Sequence, residues 1–173
     1  MMPIPSMRRI RLVMIAAATL ALGPAAQADA STQLINAGTV EFGPPTLAME
    51  VGFDSRVFVR PSNPQSFRQQ WDKEPVGNGQ SRYRNLATNA CLIVPEAAKP
   101  GDDLRVGACG NVGARNLWTR KSVVPGNGAF MLVSVHSGLA PLQNFFAFPS
   151  DLLKIHDEAD AASVGSLAEY IGA

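Results

Sequence analysis

The chain has 173 residues, of which 46% are apolar and 17% charged, and its net charge is +1. That balance excludes a disordered tail, a coiled coil and a strongly basic nucleic-acid binder. Fifteen Gly and thirteen Pro call for many turns and short strands, while two His and two Cys leave little material for a metal centre.

At the N-terminus, Arg8, Arg9 and Arg11 precede the uncharged apolar run Leu12–Leu22. Gly23-Pro24 ends the run, and Ala26-Gln27-Ala28 or Ala28-Asp29-Ala30 supplies a small-x-small cleavage pattern. The run is roughly half of the ~20 residues a spanning helix needs. Residues 1–28 therefore read as a secretion signal and not as a membrane anchor, and the rest is expected to be secreted or periplasmic. Beyond residue 28, twelve basic residues face fourteen acidic ones, a net charge of −2. Phosphate-backbone binding is a poor fit to that balance.

The remaining chain repeats. Gly77-Asn78-Gly79 returns as Gly126-Asn127-Gly128, 49 residues on. At the same offset Leu34, Tyr83 and Leu132 coincide, as do Arg56-Val57, Arg105-Val106 and Lys154-Ile155. Three units follow, at about 29–76, 77–125 and 126–173. In the middle unit, Arg82–Leu86 and Cys91–Val94 read as strands around a bend at Thr88-Asn89, and Leu104–Val106 resumes an extended pattern after a loop. A unit this small cannot bury its own apolar face, so the three must share one core. Threefold repetition of four-stranded units points to an all-β, closed antiparallel barrel capped by hairpins. In the last copy, 150–171 fits an amphipathic helix capped by Ser150, but the repeat favours a strand at Leu152–Ile155. The third unit is expected to be degenerate.

Cys91 and Cys109, 18 apart, are most simply a disulfide in an exported chain. A redox or metal pair would want C-x-x-C spacing or a nearby His. Trp71 and Trp118 each close a unit, 47 apart, behind an amide two residues earlier, Gln69 and Asn116. Rings at those places would fill the barrel core.

These residues resemble a known family. Gln69-Gln70-Trp71 is similar to the Q-x-W signature of ricin-type β-trefoil lectins, and the run from Thr88 to Val94, with Asp103–Val106 and Cys109, resembles that family's second-strand cysteine and its partner. The stretch from Asp102 to Cys109 is also similar to the A and C subunits of cytolethal distending toxins. The resemblance implies a β-trefoil with pseudo-threefold symmetry, and binding of galactose-type glycans in shallow pockets, at most one per unit.

A sugar pocket needs a carboxylate, an aromatic face and an amide. In the family, the carboxylate stands two residues after the second-strand cysteine, where the middle unit has Ile93. The first unit offers Glu50 at that place, Gln69 as the amide, and Val59 at the stacking position with Phe58 beside it. In the third unit His156 falls on the stacking position, with Leu142 or Gln143 where the carboxylate should be. Candidate glycan contacts are therefore Glu50, Phe58, Gln69 and His156. Ser134 and Ser137 flank His136 without a nucleophile elbow, and Gly126-Asn127-Gly128 lacks the G-K-[ST] of a phosphate loop. No catalytic residue, metal or cofactor is expected. Two functions remain: a lectin-like module, or a protein-interaction module such as a toxin delivery subunit or inhibitor. Phe145, Phe146 and Phe148 are expected in the core, and exposure of two of them would favour the second.

Overall fold

A computed structural model of the chain describes residues 31–36, 46–110, 112–122, 130–142, 152–156 and 167–171; for Asn36, Leu142 and 167–171 it describes the backbone. The basic and apolar N-terminal segment, the Gly126-Asn127-Gly128 triplet and Phe145, Phe146 and Phe148 lie outside the described residues.

The described strands are β1 (Thr32–Asn36), β2 (Leu47–Val51), β3 (Val57–Pro61), β4 (Gln70–Gly77), β5 (Gln80–Asn85), β6 (Cys91–Ile93), β7 (Arg105–Gly107), β8 (Trp118–Ser122), β9 (Phe130–Ser134), β10 (Ala140–Leu142), β11 (Lys154–His156) and β12 (Leu167–Ile171). All pair antiparallel. The ladder runs β1–β4–β5–β8–β9–β12 and returns to β1, where Thr32 pairs with Ile171. Six strands thus close into a barrel with no free edge along the ring. The other six form three hairpins, β2–β3, β6–β7 and β10–β11. Each unit of four strands gives two to the barrel and one hairpin to the cap, which is the β-trefoil arrangement. Where helix and strand competed in the last copy, the described segments 154–156 and 167–171 are both strands.

One loop of hydrogen bonds closes the cap. Val57 N–H donates to the Leu104 carbonyl (3.0 Å), Leu104 N–H to that of Leu153 (2.9 Å), and Leu153 N–H to that of Val57 (2.9 Å). All three side chains are buried. Each unit therefore satisfies a buried backbone group of another, which none could do alone.

Strand alternation sends the apolar faces inward. On β5, Ser81, Tyr83 and Asn85 are buried while Gln80, Arg82 and Arg84 are only partly so. Leu34, Tyr83 and Leu132 are fully buried at equivalent barrel positions, as are Trp71 and Trp118. The two indole N–H groups donate to the Met49 (3.3 Å) and Leu92 (3.0 Å) carbonyls, so each ring both fills the core and ties its hairpin to the barrel. Asn78 and Gly79, both left-handed, make the tight turn between β4 and β5.

These ties correct the repeat alignment in the first unit. Met49 pairs with Val59 and Leu92 with Val106, so Val59, not Val57, is the counterpart of Val106. Met49 follows Leu34 by 15 positions where Leu92 follows Tyr83 by nine, but Val59 follows Met49 by only ten where Val106 follows Leu92 by 14. A longer entry loop and a shorter hairpin largely cancel, which hid the shift behind an almost constant period.

Candidate functional site

The same register places the expected contacts of the first unit. On β2 and β3, Met49, Val51, Val57 and Val59 enter the core, and Glu50 and Phe58, directly opposed, face outward. Val59, the residue at the expected stacking position, is 2% exposed and therefore core. Its neighbour Phe58 presents a half-buried ring that lies across Gly52, where a Cβ would clash with its Cε2. The guanidinium carbons of Arg60 and Arg56 stand 5.4 and 5.7 Å from the ring centroid, within cation–π range.

Gln69 ends a 3₁₀ turn, Phe67–Gln69, that leads into β4. Its Nε2 donates to Glu50 Oε2 (2.9 Å) and to the Pro61 carbonyl (3.0 Å), and its Oε1 accepts from Asn63 N–H (2.7 Å) and Gln33 Nε2 (2.9 Å). At 1% exposure the amide is turned into the fold, and what it offers the surface is a fixed carboxylate. Glu50 keeps a quarter of its side chain exposed, with Arg60 Nε 3.8 Å from Oε1. Glu50, Phe58 and Gln69 are thus brought together. His156 is not among them: it lies opposite Ala140 on the third hairpin, in the place that Arg60 holds in the first.

Two neighbours had no part in the sequence reading. Arg68 Nη1 donates to the Val51 carbonyl (2.9 Å), and its guanidinium lies 4.0 Å from the ring centroid of Phe53, which is 95% exposed. The second unit repeats the tie with Arg115, whose Nε donates to the Val94 carbonyl (3.0 Å). The signal was present: Arg68 and Arg115 are 47 apart, the spacing of the two tryptophans. Together these groups offer an acceptor for neighbouring hydroxyls, guanidinium donors and an apolar ring.

In the second unit the equivalent places hold Ile93 for Glu50, Arg105 for Phe58, Gly107 for Arg60 and Asn116 for Gln69. Ile93 lies over Gly107, where a Cβ would meet its Cδ1 at 2.5 Å. Asn116 Nδ2 donates to the Cys109 carbonyl. Cys91 and Cys109 are joined as a disulfide, Cα to Cα 4.9 Å. A cleft of about 580 Å³ opens here between the hairpin loop and the turn that carries Arg115.

Ser134 is 1% exposed, its Oγ accepting from Ser137 N–H (3.3 Å), while His136 Nε2 lies 2.8 Å from the Glu96 carbonyl. These are the contacts of a turn. Among the described residues no His, Cys, Asp and Glu gather into a metal-holding group, and no helix is long and apolar enough to cross a membrane. On the outside of β4, burial raises the Asp72 carboxyl above its ordinary value, helped by Glu74 and opposed by Arg84.

No protein-family model and no curated protein matches the sequence. Solved structures do. A designed threefold-symmetric protein, ThreeFoil, is 18% identical with a TM-score of 0.67, over 80% of this chain and 96% of its own. The cytolethal distending toxin of Actinobacillus actinomycetemcomitans is 14% identical, TM-score 0.63, over 86% and 94%. A lectin of Polyporus squamosus, bound to a human-type influenza-binding epitope, is 15% identical, TM-score 0.59, over 81% of this chain and 48% of that one. At such identities the likeness is one of architecture, and by its closed six-stranded ring, its three capping hairpins and these neighbours the chain is a β-trefoil.

Proposed function

We propose that the chain is an exported, non-catalytic carbohydrate-binding module whose first unit supplies a glycan contact surface. The observation that carries this reading is the hydrogen bond from Gln69 to Glu50, which fixes a part-exposed carboxylate beside an aromatic ring and two guanidinium groups. A carboxylate held by a buried amide can accept from two adjacent sugar hydroxyls without first giving up rotamer freedom, and the ring offers a surface to the C–H side. Galactose-type sugars are the expected ligands, and a single shallow site of this kind binds weakly, so useful strength would come from several copies. The Cys91–Cys109 disulfide supports export, because such bonds persist in oxidising compartments. The lectin among the structural neighbours supports the glycan reading.

The test is a glycan array with the oxidised chain beside Glu50→Ala. Binding lost by the variant supports the first-unit surface. Binding kept moves the site elsewhere in the chain, and no binding by either removes the carbohydrate reading.

A second reading, a protein-interaction module, has its own observation. Phe53 and Phe67 are 95% and 67% exposed, both in the first unit, and large exposed aromatics favour protein contacts. The toxin among the structural neighbours supports it. Recovery of one stoichiometric partner from the native source would favour this reading, while a lone monomer would count against it.

A further inference from the structure

We infer that the cleft of the second unit is a separate site for an acidic sugar, a pyranose that carries a carboxylate. The inference rests on the carbohydrate reading and gives this unit its own ligand class.

Ile93, the residue that stands where the first unit has Glu50, lines the cleft. With that carboxylate gone, the acidic groups left along it are Glu96, Asp102 and Asp103. The walls carry two guanidinium groups. Arg115 is anchored twice to the same residue, its Nε donating to the Val94 carbonyl (3.0 Å) and its own carbonyl accepting from Val94 N–H (3.1 Å). Among the described residues nothing bonds its two Nη groups, and the Nε bond holds the fork in place. In the first unit the equivalent Arg68 has its guanidinium against Phe53.

Arg105 stands at the position of Phe58, on β7 beside Ile93, with 53% of its side chain exposed. Its contact with Asp103 is loose, 3.9 Å from Nη2 to Oδ2. The charge of Asp103 is already met by Lys154 Nζ at 3.0 Å and by Arg56 Nη1 at 3.8 Å. Asp103 therefore leaves Arg105 available. Asp102 and Glu96 also line the cleft. Asp102 uses one oxygen to accept from Lys99 N–H (3.0 Å), and the other can accept from a hydroxyl.

A simple anion would find the guanidinium groups but have nothing to offer Asp102 or Glu96. A neutral sugar would satisfy the carboxylates and could accept from the guanidinium groups, but would bring no charge to meet theirs. A sugar acid answers both, since planar guanidinium donors match a carboxylate and the carboxylate acceptors match ring hydroxyls. About 580 Å³ is room for one or two pyranose rings.

The experiment is a titration of the oxidised full chain, followed by NMR at the Ile93 methyl and the Phe58 ring. The probes are methyl β-D-glucuronide, methyl β-D-glucoside, methyl β-D-galactoside and sodium acetate, at matched ionic strength. The expected result is saturable movement of the Ile93 methyl by the glucuronide, with glucoside and acetate at least about tenfold weaker there. Arg115→Met should weaken the glucuronide about tenfold or more. Ile93→Asp, which keeps the tie between Arg115 and Val94 but removes the reporting methyl and is therefore followed by calorimetry, should do the same by repulsion. An Ile93 methyl unmoved by the glucuronide overturns the proposal, and so does acetate or glucoside as effective as the glucuronide. If a neutral glycan moves the Phe58 ring while the Ile93 methyl stays still under every probe, this site is lost and the first-unit reading stands. Silence at both positions removes both.

Discussion

In the second unit Cys109, just past the end of β7, is bonded to Cys91; in the first unit Ser62 and Ala48 stand at the same places, and polar side chains fasten the hairpin instead. Ser62 Oγ donates to Gln33 Oε1 (2.9 Å), Gln33 Nε2 donates to Gln69 Oε1, and Gln69 Nε2 donates to Glu50. Asn116, one methylene shorter than Gln69, bonds the Cys109 carbonyl instead. The difference teaches why the two outer surfaces diverged. Where the clasp is covalent, nothing requires a carboxylate at its edge, and Ile93 fits. Where it is a chain of amides, Glu50 is the end of the chain and points outward.

The largest effects should come from what the two units share. Trp71→Ala and Trp118→Ala each remove a fully buried ring and leave a buried carbonyl without its donor, for a loss of ~3–5 kcal/mol in urea unfolding. Losses that differ by more than about half would break the equivalence of the two units.

Next comes the covalent clasp. Replacing Cys91 and Cys109 together by Ala should lower stability by about 3 kcal/mol, the value for a loop of this length. The same variant should leave glycan binding at Glu50 unchanged, and a parallel loss of binding would show that the two clasps are coupled.

The polar clasp should be weaker. Gln69→Leu strands the Asn63 N–H and the Gln33 amide, at about 1–3 kcal/mol. It should also reduce binding at the first unit, because Glu50 loses the donor that orients it. Stability lost with binding intact would separate the clasp from the surface.

The smallest effect lies away from both hairpins. The folded carboxyl of Asp72 titrates above its ordinary value of 3.8, chiefly through burial. The folded state therefore binds this proton more tightly than the unfolded one, and ionisation of Asp72 opposes folding at neutral pH. Asp72→Asn should stabilise the protein at pH 7 by less than about 0.5 kcal/mol after solvent screening, an advantage that fades as the pH falls through the folded value and is gone below 3.8. Thermal melts at pH 7 and pH 3 read both ends of that range.

The threefold plan was legible because the strongest signals, Tyr83 against Leu132 and Trp71 against Trp118, are core positions where packing restricts the choice of residue. The gathering of Glu50, Phe58 and Gln69 was legible too, since the Q-x-W place and the strand position both pointed there. What stayed hidden depends on loop length and side-chain reach. The shift at Val57 and Val59 was masked by two changes of opposite sign. Arg68 and Arg115 act through long side chains on carbonyls 17 and 21 residues away, and no local pattern announces such a contact. The open cleft beside Ile93 follows from what is missing at that position, which a motif search for carboxylates passes over.

The ring of three hydrogen bonds through Val57, Leu104 and Leu153 has no first member. The chain's described ends already meet in the β1–β12 ladder, and the Asn78-Gly79 turn is a two-residue link between units. A circular permutant that joins the old ends and opens at that turn would keep every donor and acceptor of the ring. For this architecture the closure of the cap depends on the presence of all three units and not on their order along the chain.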